Sequence, residues 1–176
     1  MRKLKIYLLS VFAGIVVVSC TDHTVEPINP LGPIDKAYML KYLEYENFVL
    51  DISTGTNNVT RDTINVFPYT SEVFNRLYPV YSDLTGFAFS IEPTTIIRGP
   101  ILKARRNSLS NAPSALAHDT IYVNLMLETL QEMIVMNGDQ SVNGKNQFLV
   151  DYAKKEKLNM NGLLGKVMRI DSLQRL

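Results

Sequence analysis

Apolar and polar positions alternate with two different periods along the chain, and the first half reads as strands. Residues 48–52 form a compact apolar run, and residues 59–67 place Val59, Arg61 and Thr63 against Thr60, Asp62 and Ile64 with a period of two. Between them, Ser53-Thr54-Gly55-Thr56-Asn57-Asn58 is turn material, so the two runs predict a hairpin. Residues 86–91 alternate again as a third strand, and residues 96–102 suggest a fourth, broken by Gly99-Pro100. Helical spacing marks other segments. Asp35 is placed to cap a helix through about residue 46, with Tyr38, Tyr42 and Tyr45 on one side. Thr70 or Ser71 is placed to cap a second helix over residues 72–77, stopped near Pro79.

The strongest helical period lies at residues 121–136. Tyr122, Met126, Leu130, Met133 and Ile134 recur at three- and four-residue spacing, with Asp119 or Thr120 as cap and Asn137-Gly138 as stop. Residues 103–119 read as loop, 145–157 as a further helix, and 167–173 as a closing strand. Strands early and helices late predict an α+β fold: one compact domain over residues 35–176, antiparallel strands in its first half and helices in its second.

The N-terminus changes the picture from fold to location. Met1-Arg2-Lys3-Leu4-Lys5 precedes an apolar stretch over residues 6–18 and then Ser19-Cys20, the pattern of a secretory signal peptide over residues 1–19. Thirteen residues at about 1.5 Å each cover roughly 20 Å, short of the ~30 Å hydrocarbon core, which argues against a membrane span. Val17-Val18-Ser19-Cys20 resembles the lipobox of bacterial lipoproteins. That resemblance implies cleavage before Cys20, a diacylglycerol on its thiol and a cell-envelope location, with Thr21 matching outer-membrane sorting. Residues 20–34 carry Pro27, Pro30 and Pro33 without helical period and read as an extended tether.

Charge and cysteine content then exclude several functions. Cleavage removes Arg2, Lys3 and Lys5 from 18 basic residues and none of the 17 acidic ones, leaving 15 against 17. This near-neutral balance makes no case for nucleic acid as a partner. Cys20 is the only cysteine, so its lipidation leaves no thiol for a disulfide. With His23 and His118 the only histidines, neither a metal site nor another cofactor is expected, and none is assigned. Ser114, His118 and Asp119 supply the residue types of a nucleophilic triad but lack a Gly-x-Ser-x-Gly elbow, so His118 reads as a loop histidine and no catalytic residue is assigned. Glu128 and Glu132, one turn apart, read as a solvated helix face.

Three features remain as candidate sites. Arg98, Lys103, Arg105 and Arg106 form one concentrated basic patch, suited to an anionic ligand or to a solvated loop. Tyr38, Tyr42 and Tyr45 suit either a stacking platform for sugars or core packing. Asp62-Thr63-Ile64, Asp119-Thr120-Ile121 and Asp171-Ser172-Leu173 resemble the Asp-Ser/Thr-aliphatic acceptor for O-glycosylation of exported bacterial proteins, with Thr63, Thr120 and Ser172 as the acceptors.

Residues 66–77, Val-Phe-Pro-Tyr-Thr-Ser-Glu-Val-Phe-Asn-Arg-Leu, resemble the first signature of fasciclin-like domains, although Pro68-Tyr69 replaces Ala-Pro. His118, Thr129-Leu130, Val142-Asn143-Gly144, Asn161-Gly162 and residues 170–173 match in family order. The resemblance implies a wedge-shaped α+β adhesion module, while residues 121–136 read as helix where that family has strand and turn. The expected function is thus a non-catalytic envelope lipoprotein for binding or adhesion. Its expected partners are the membrane, through the lipid on Cys20, and an envelope protein or glycan. A small envelope hydrolase or glycan-processing enzyme and an accessory subunit of an outer-membrane assembly are the alternatives.

Overall fold

None of the predicted strands forms among the described residues. The structure, a computed structural model, describes residues 31–91, 96 and 98–175; residues 1–30, on which the readings of a signal peptide, a lipidated Cys20 and most of a tether fall, lie outside them. Within these residues the chain forms α1 (Pro33–Asn57), α2 (Val66–Ile91), α3 (Pro100–Ser110), α4 (Ala115–Asn143) and α5 (Gln147–Gln174), and no strand. The α+β expectation, with antiparallel strands, is therefore corrected to an all-α domain, and the wedge implied by the fasciclin-like resemblance goes with it. Residues 66–77 and 118–143 are helical throughout.

Local chemistry explains each correction. The presumed strand 48–52 and turn 53–58 are the second half of α1. Ser53 and Thr56 face inward and are buried, while the Thr54 hydroxyl satisfies itself on the Leu50 carbonyl at 2.8 Å. These residues were turn-like by type and helical by position. The presumed strand 59–67 is a connection plus the start of α2, where Asp62 accepts the Asn65 amide at 2.9 Å. The third strand, 86–91, is the end of α2, which continues through Pro79 although proline supplies no N–H to the Asn75 carbonyl. The described residues of the fourth lead into α3, which starts on Pro100, a favoured first helical position. The predicted loop 103–119 holds most of α3 and the first turn of α4, capped by Ser114, whose hydroxyl accepts the Ala117 amide at 3.1 Å. The closing strand 167–173 is the end of α5.

The predicted stop at Asn137-Gly138 fails because Asn137 is spent inside the bundle: its side-chain oxygen accepts from Tyr38 at 2.7 Å and its amide donates to Tyr42 at 2.9 Å. The helix ends instead at Gly144, where an added Cβ would fall 2.6 Å from the Gln140 carbonyl oxygen, leaving room for no side chain. Asn146 then caps α5 by accepting the Leu149 amide at 3.2 Å.

The four long helices form a bundle in which α1 lies beside α2 and α4, and α5 beside α4 and α2. Paired contacts fix the directions. Tyr38 meets Asn137 while Ser53 meets Tyr122, so α1 and α4 are antiparallel; Tyr69 meets the Leu163 carbonyl while Phe87 stacks on Phe148, so α2 and α5 are antiparallel too. The connection from α2 to α4 crosses the bundle by way of α3, which packs along α1 and α4. Leu102 and Leu109 anchor α3 in the core.

Candidate functional site

The broadest concavity runs between α1 and α4. Two adjoining grooves, of ≈ 610 Å³ and ≈ 570 Å³, share Lys41, Met136 and Asp139. One continues past Tyr45 to Arg105, Glu128 and Glu132, the other past Tyr38 and Gln140 to Ile34. The lining is amphoteric: Lys41 stands over the Tyr45 ring at 5.9 Å, and Asp139, which lines both grooves with it, forms no ion pair among the described residues. Arg105 closes the far end in a two-pronged contact with Glu132 at 2.8 and 2.9 Å, with Glu128 at 3.4 Å. Its guanidinium holds the Glu132 carboxyl below the ordinary range, and burial together with Glu132 pushes the Tyr45 phenol up to about 12.

Gln140 links this groove to the core. It is 2 % exposed, and its amide nitrogen donates to Asp35 at 2.7 Å. A carboxylate accepts only, so the nitrogen must face Asp35 and the amide oxygen must face away. That oxygen is buried and has no partner. Asp35 also accepts the backbone amides of Lys145 and Asn146 at 3.1 and 3.2 Å, fastening the α4–α5 turn to the start of α1.

Beneath the groove a polar spine follows α1 inward: Asp35, Tyr38, Tyr42, Glu46, Ser53 and Thr56 are all buried. Tyr38 and Tyr42 stack at 5.3 Å, and Tyr152 donates to Glu46 at 2.8 Å. One turn after Tyr152, Glu156 accepts from Asn159 at 2.7 Å. Glu46 and Glu156 are each fully buried with one carboxylate oxygen unpartnered. Burial raises both, Glu156 to about 7 and Glu46 well above its ordinary value, with the nearby Glu156 charge adding to the second. These are the carboxylates that sequence reasoning missed. Neither lines either of these two grooves, so the pair is core chemistry rather than a cleft dyad. For Glu46 the signal was the spacing 35, 38, 42, 46, 49, 53, 56, a heptad stripe obscured because about half its members are polar.

The predicted residues are distributed otherwise than expected. Arg98 and Arg106 converge on Asp51 at 2.9 and 2.8 Å, and Arg105 points to α4, so all three guanidiniums tie α3 and its lead-in to the long helices. Lys103 is exposed and forms no ion pair among the described residues. Tyr38, Tyr42 and Tyr45 pack largely inside. His118 is half-buried on α4, its imidazole pushed down chiefly by burial. Thr63, Thr120 and Ser172 are exposed and lie at one end of the bundle, in the α1–α2 connection, the first turns of α4 and the last turn of α5. The first two sequences touch: Asp119 accepts the Asp62 amide at 3.2 Å. Cys20 lies outside the described residues.

A smaller pocket of ≈ 350 Å³ opens between α1 and α2, lined by Asn57, Thr70, Ser71, Phe74 and Asn75 with Ser53 and Thr54. No group of three or more metal-ligating side chains occurs among the described residues, and none of their helices is long and apolar enough to cross a membrane. No family model, curated protein or solved structure matches the chain.

Proposed function

We propose that the chain is a binding module of the cell envelope, held by a lipid on Cys20, with the α1–α4 groove as its recognition face for a peptide segment of an envelope protein. The observation that carries this reading is the groove itself, two adjoining concavities of ≈ 610 and ≈ 570 Å³ that share Lys41, Met136 and Asp139. Lys41 and Asp139 stand ready for a carboxylate and an ammonium, and Tyr38, Met136 and Ile34 give the apolar floor.

The test has two arms. Replacing Cys20→Ser is expected to abolish labelling by radioactive palmitate and release the chain from membranes; retained membrane attachment refutes the lipid anchor. A photo-crosslinking residue at Val135, exposed in the groove wall, is expected to trap a partner in native envelopes, whereas one at Leu158 on α5 is not. Lys41→Glu should abolish the Val135 adduct. Equal trapping at both positions, or indifference to Lys41→Glu, refutes the groove.

A further inference from the structure

The pocket between α1 and α2 has a composition unlike that of the large groove: none of its seven lining residues is charged. Its polar groups are amides and hydroxyls, and several are free. Asn57 accepts the Thr70 hydroxyl at 2.8 Å through its side-chain oxygen, so its amide nitrogen, with two donors, faces elsewhere. Ser71 and Asn75, one turn apart on α2, make no side-chain hydrogen bond among the described residues. Pro79 supplies no N–H to the Asn75 carbonyl, so that backbone acceptor lacks its usual helical partner.

One wall is aromatic. Phe74 is 39 % exposed and stacks on the 54 % exposed Tyr78 ring at 5.2 Å and 16°. Tyr78 covers one face of Phe74 and steadies it, and Phe74 itself lines the pocket. A flat apolar face bordered by neutral donors and acceptors on two helices selects a ligand with an apolar face and an equatorial fringe of hydroxyls. A charged ligand would find no counter-charge there, and a purely apolar one would leave the amides unpaired.

We infer that the α1–α2 pocket binds a neutral pyranose unit, its ring stacked on Phe74 and its hydroxyls bonded to Asn57, Ser71 and Asn75. The volume lies at the lower end of small-molecule sites, room for a mono- or disaccharide unit. This site is separate from the α1–α4 groove and stands or falls independently of it.

The experiment titrates the full-length chain, purified from membranes in detergent micelles, with maltotriose and with tri-N-acetylchitotriose while backbone amide shifts are followed. Tri-galacturonic acid and adenosine are the comparison probes. At least one neutral trimer is expected to give saturable shifts confined to residues 53–57 and 70–79, with millimolar affinity. Phe74→Ala should weaken binding about tenfold, the scale of one lost ring contact, and leave the melting temperature within a few degrees because the ring is largely exposed. Asn75→Ala, which removes no packing, should weaken it independently. Absence of saturation by both neutral trimers up to about 20 mM, well above the range of weak sites, overturns the inference. So does binding unaffected by Phe74→Ala and Asn75→Ala, or tighter binding of galacturonate or adenosine at the same amides.

Discussion

Replacing Glu156→Gln should flatten the dependence of stability on pH. Glu156 is fully buried on α5 and its carboxyl is raised from 4.5 to about 7, chiefly by burial. In the folded chain it therefore keeps its proton across a window in which the unfolded chain has lost it. Stability contributed by that proton is complete below about 4.5, declines as pH rises toward 7, and is gone above. A displacement of this size corresponds to about 3 kcal/mol, at about 1.4 kcal/mol per pH unit. Glutamine keeps the shape, and its oxygen can still accept from Asn159, but it never ionises. At pH 8 the variant should be more stable by up to about 3 kcal/mol, or roughly 5–10 °C in melting temperature for a chain of this size. At pH 5 the two proteins should nearly coincide. Thermal unfolding followed by helical circular dichroism at pH 5, 6.5 and 8 reads the difference. His118, pushed below 6.5 chiefly by burial, tilts the curve oppositely as pH falls, so the quantity to compare is variant minus parent at each pH. Parallel profiles would refute the argument, as would a variant less stable than its parent at pH 8.

Asn137→Ala leaves the buried phenols of Tyr38 and Tyr42 without their shared partner and opens a small void; it should cost about 3 kcal/mol, measured by chemical denaturation, and a loss below about 1 kcal/mol would show that the two tyrosines find other partners. Asp51→Ala removes the carboxylate shared by Arg98 and Arg106, leaving Arg98 its bond to Asn47 at 2.8 Å, but Asp51 is 37 % exposed and screened by water, so the global cost should be only about 1 kcal/mol. The local effect should be larger: amide exchange in α3 accelerates while that in α4 and α5 does not, and uniform acceleration would count against a pinning role.

Part of this architecture was legible and part was not, for reasons that particular residues make plain. The core of α4 was readable because residues 122–134 place apolar side chains at nearly every inward position. The N-terminal half of α5 was likewise readable from Phe148, Leu149 and Tyr152. In α1 the same period is written partly in Asp35, Glu46, Ser53 and Thr56, residues whose types favour caps, turns and solvent. Only knowledge of their partners on α4 and α5 converts them into core residues. In α2, Pro79 and Gly86 punctuate a helix that tertiary packing of Val73, Leu77, Leu84 and Ala88 carries through. The arginines stand close together in sequence, yet their carboxylate partners lie 23 to 55 residues away, beyond any local pattern.

The polar spine has a cost that hydrophobic replacements would avoid, and its geometry shows what it provides in return. Asp35 binds the α4–α5 turn, Tyr38 and Tyr42 bind Asn137, Ser53 binds Tyr122 on α4, and Glu46 binds Tyr152 on α5. Apolar side chains tolerate a helix sliding by one turn; these pairs do not, because a slip of about 5.4 Å would strand every one of them in the core. The spine thus fixes the height of α1 against both α4 and α5 in a bundle whose order of helices in space differs from their order in sequence. The same register decides the groove. Asp35 claims the side-chain nitrogen of Gln140, a residue that lines the groove beside Lys41 and Asp139, so one wall of that groove is held by a hydrogen bond made inside the bundle.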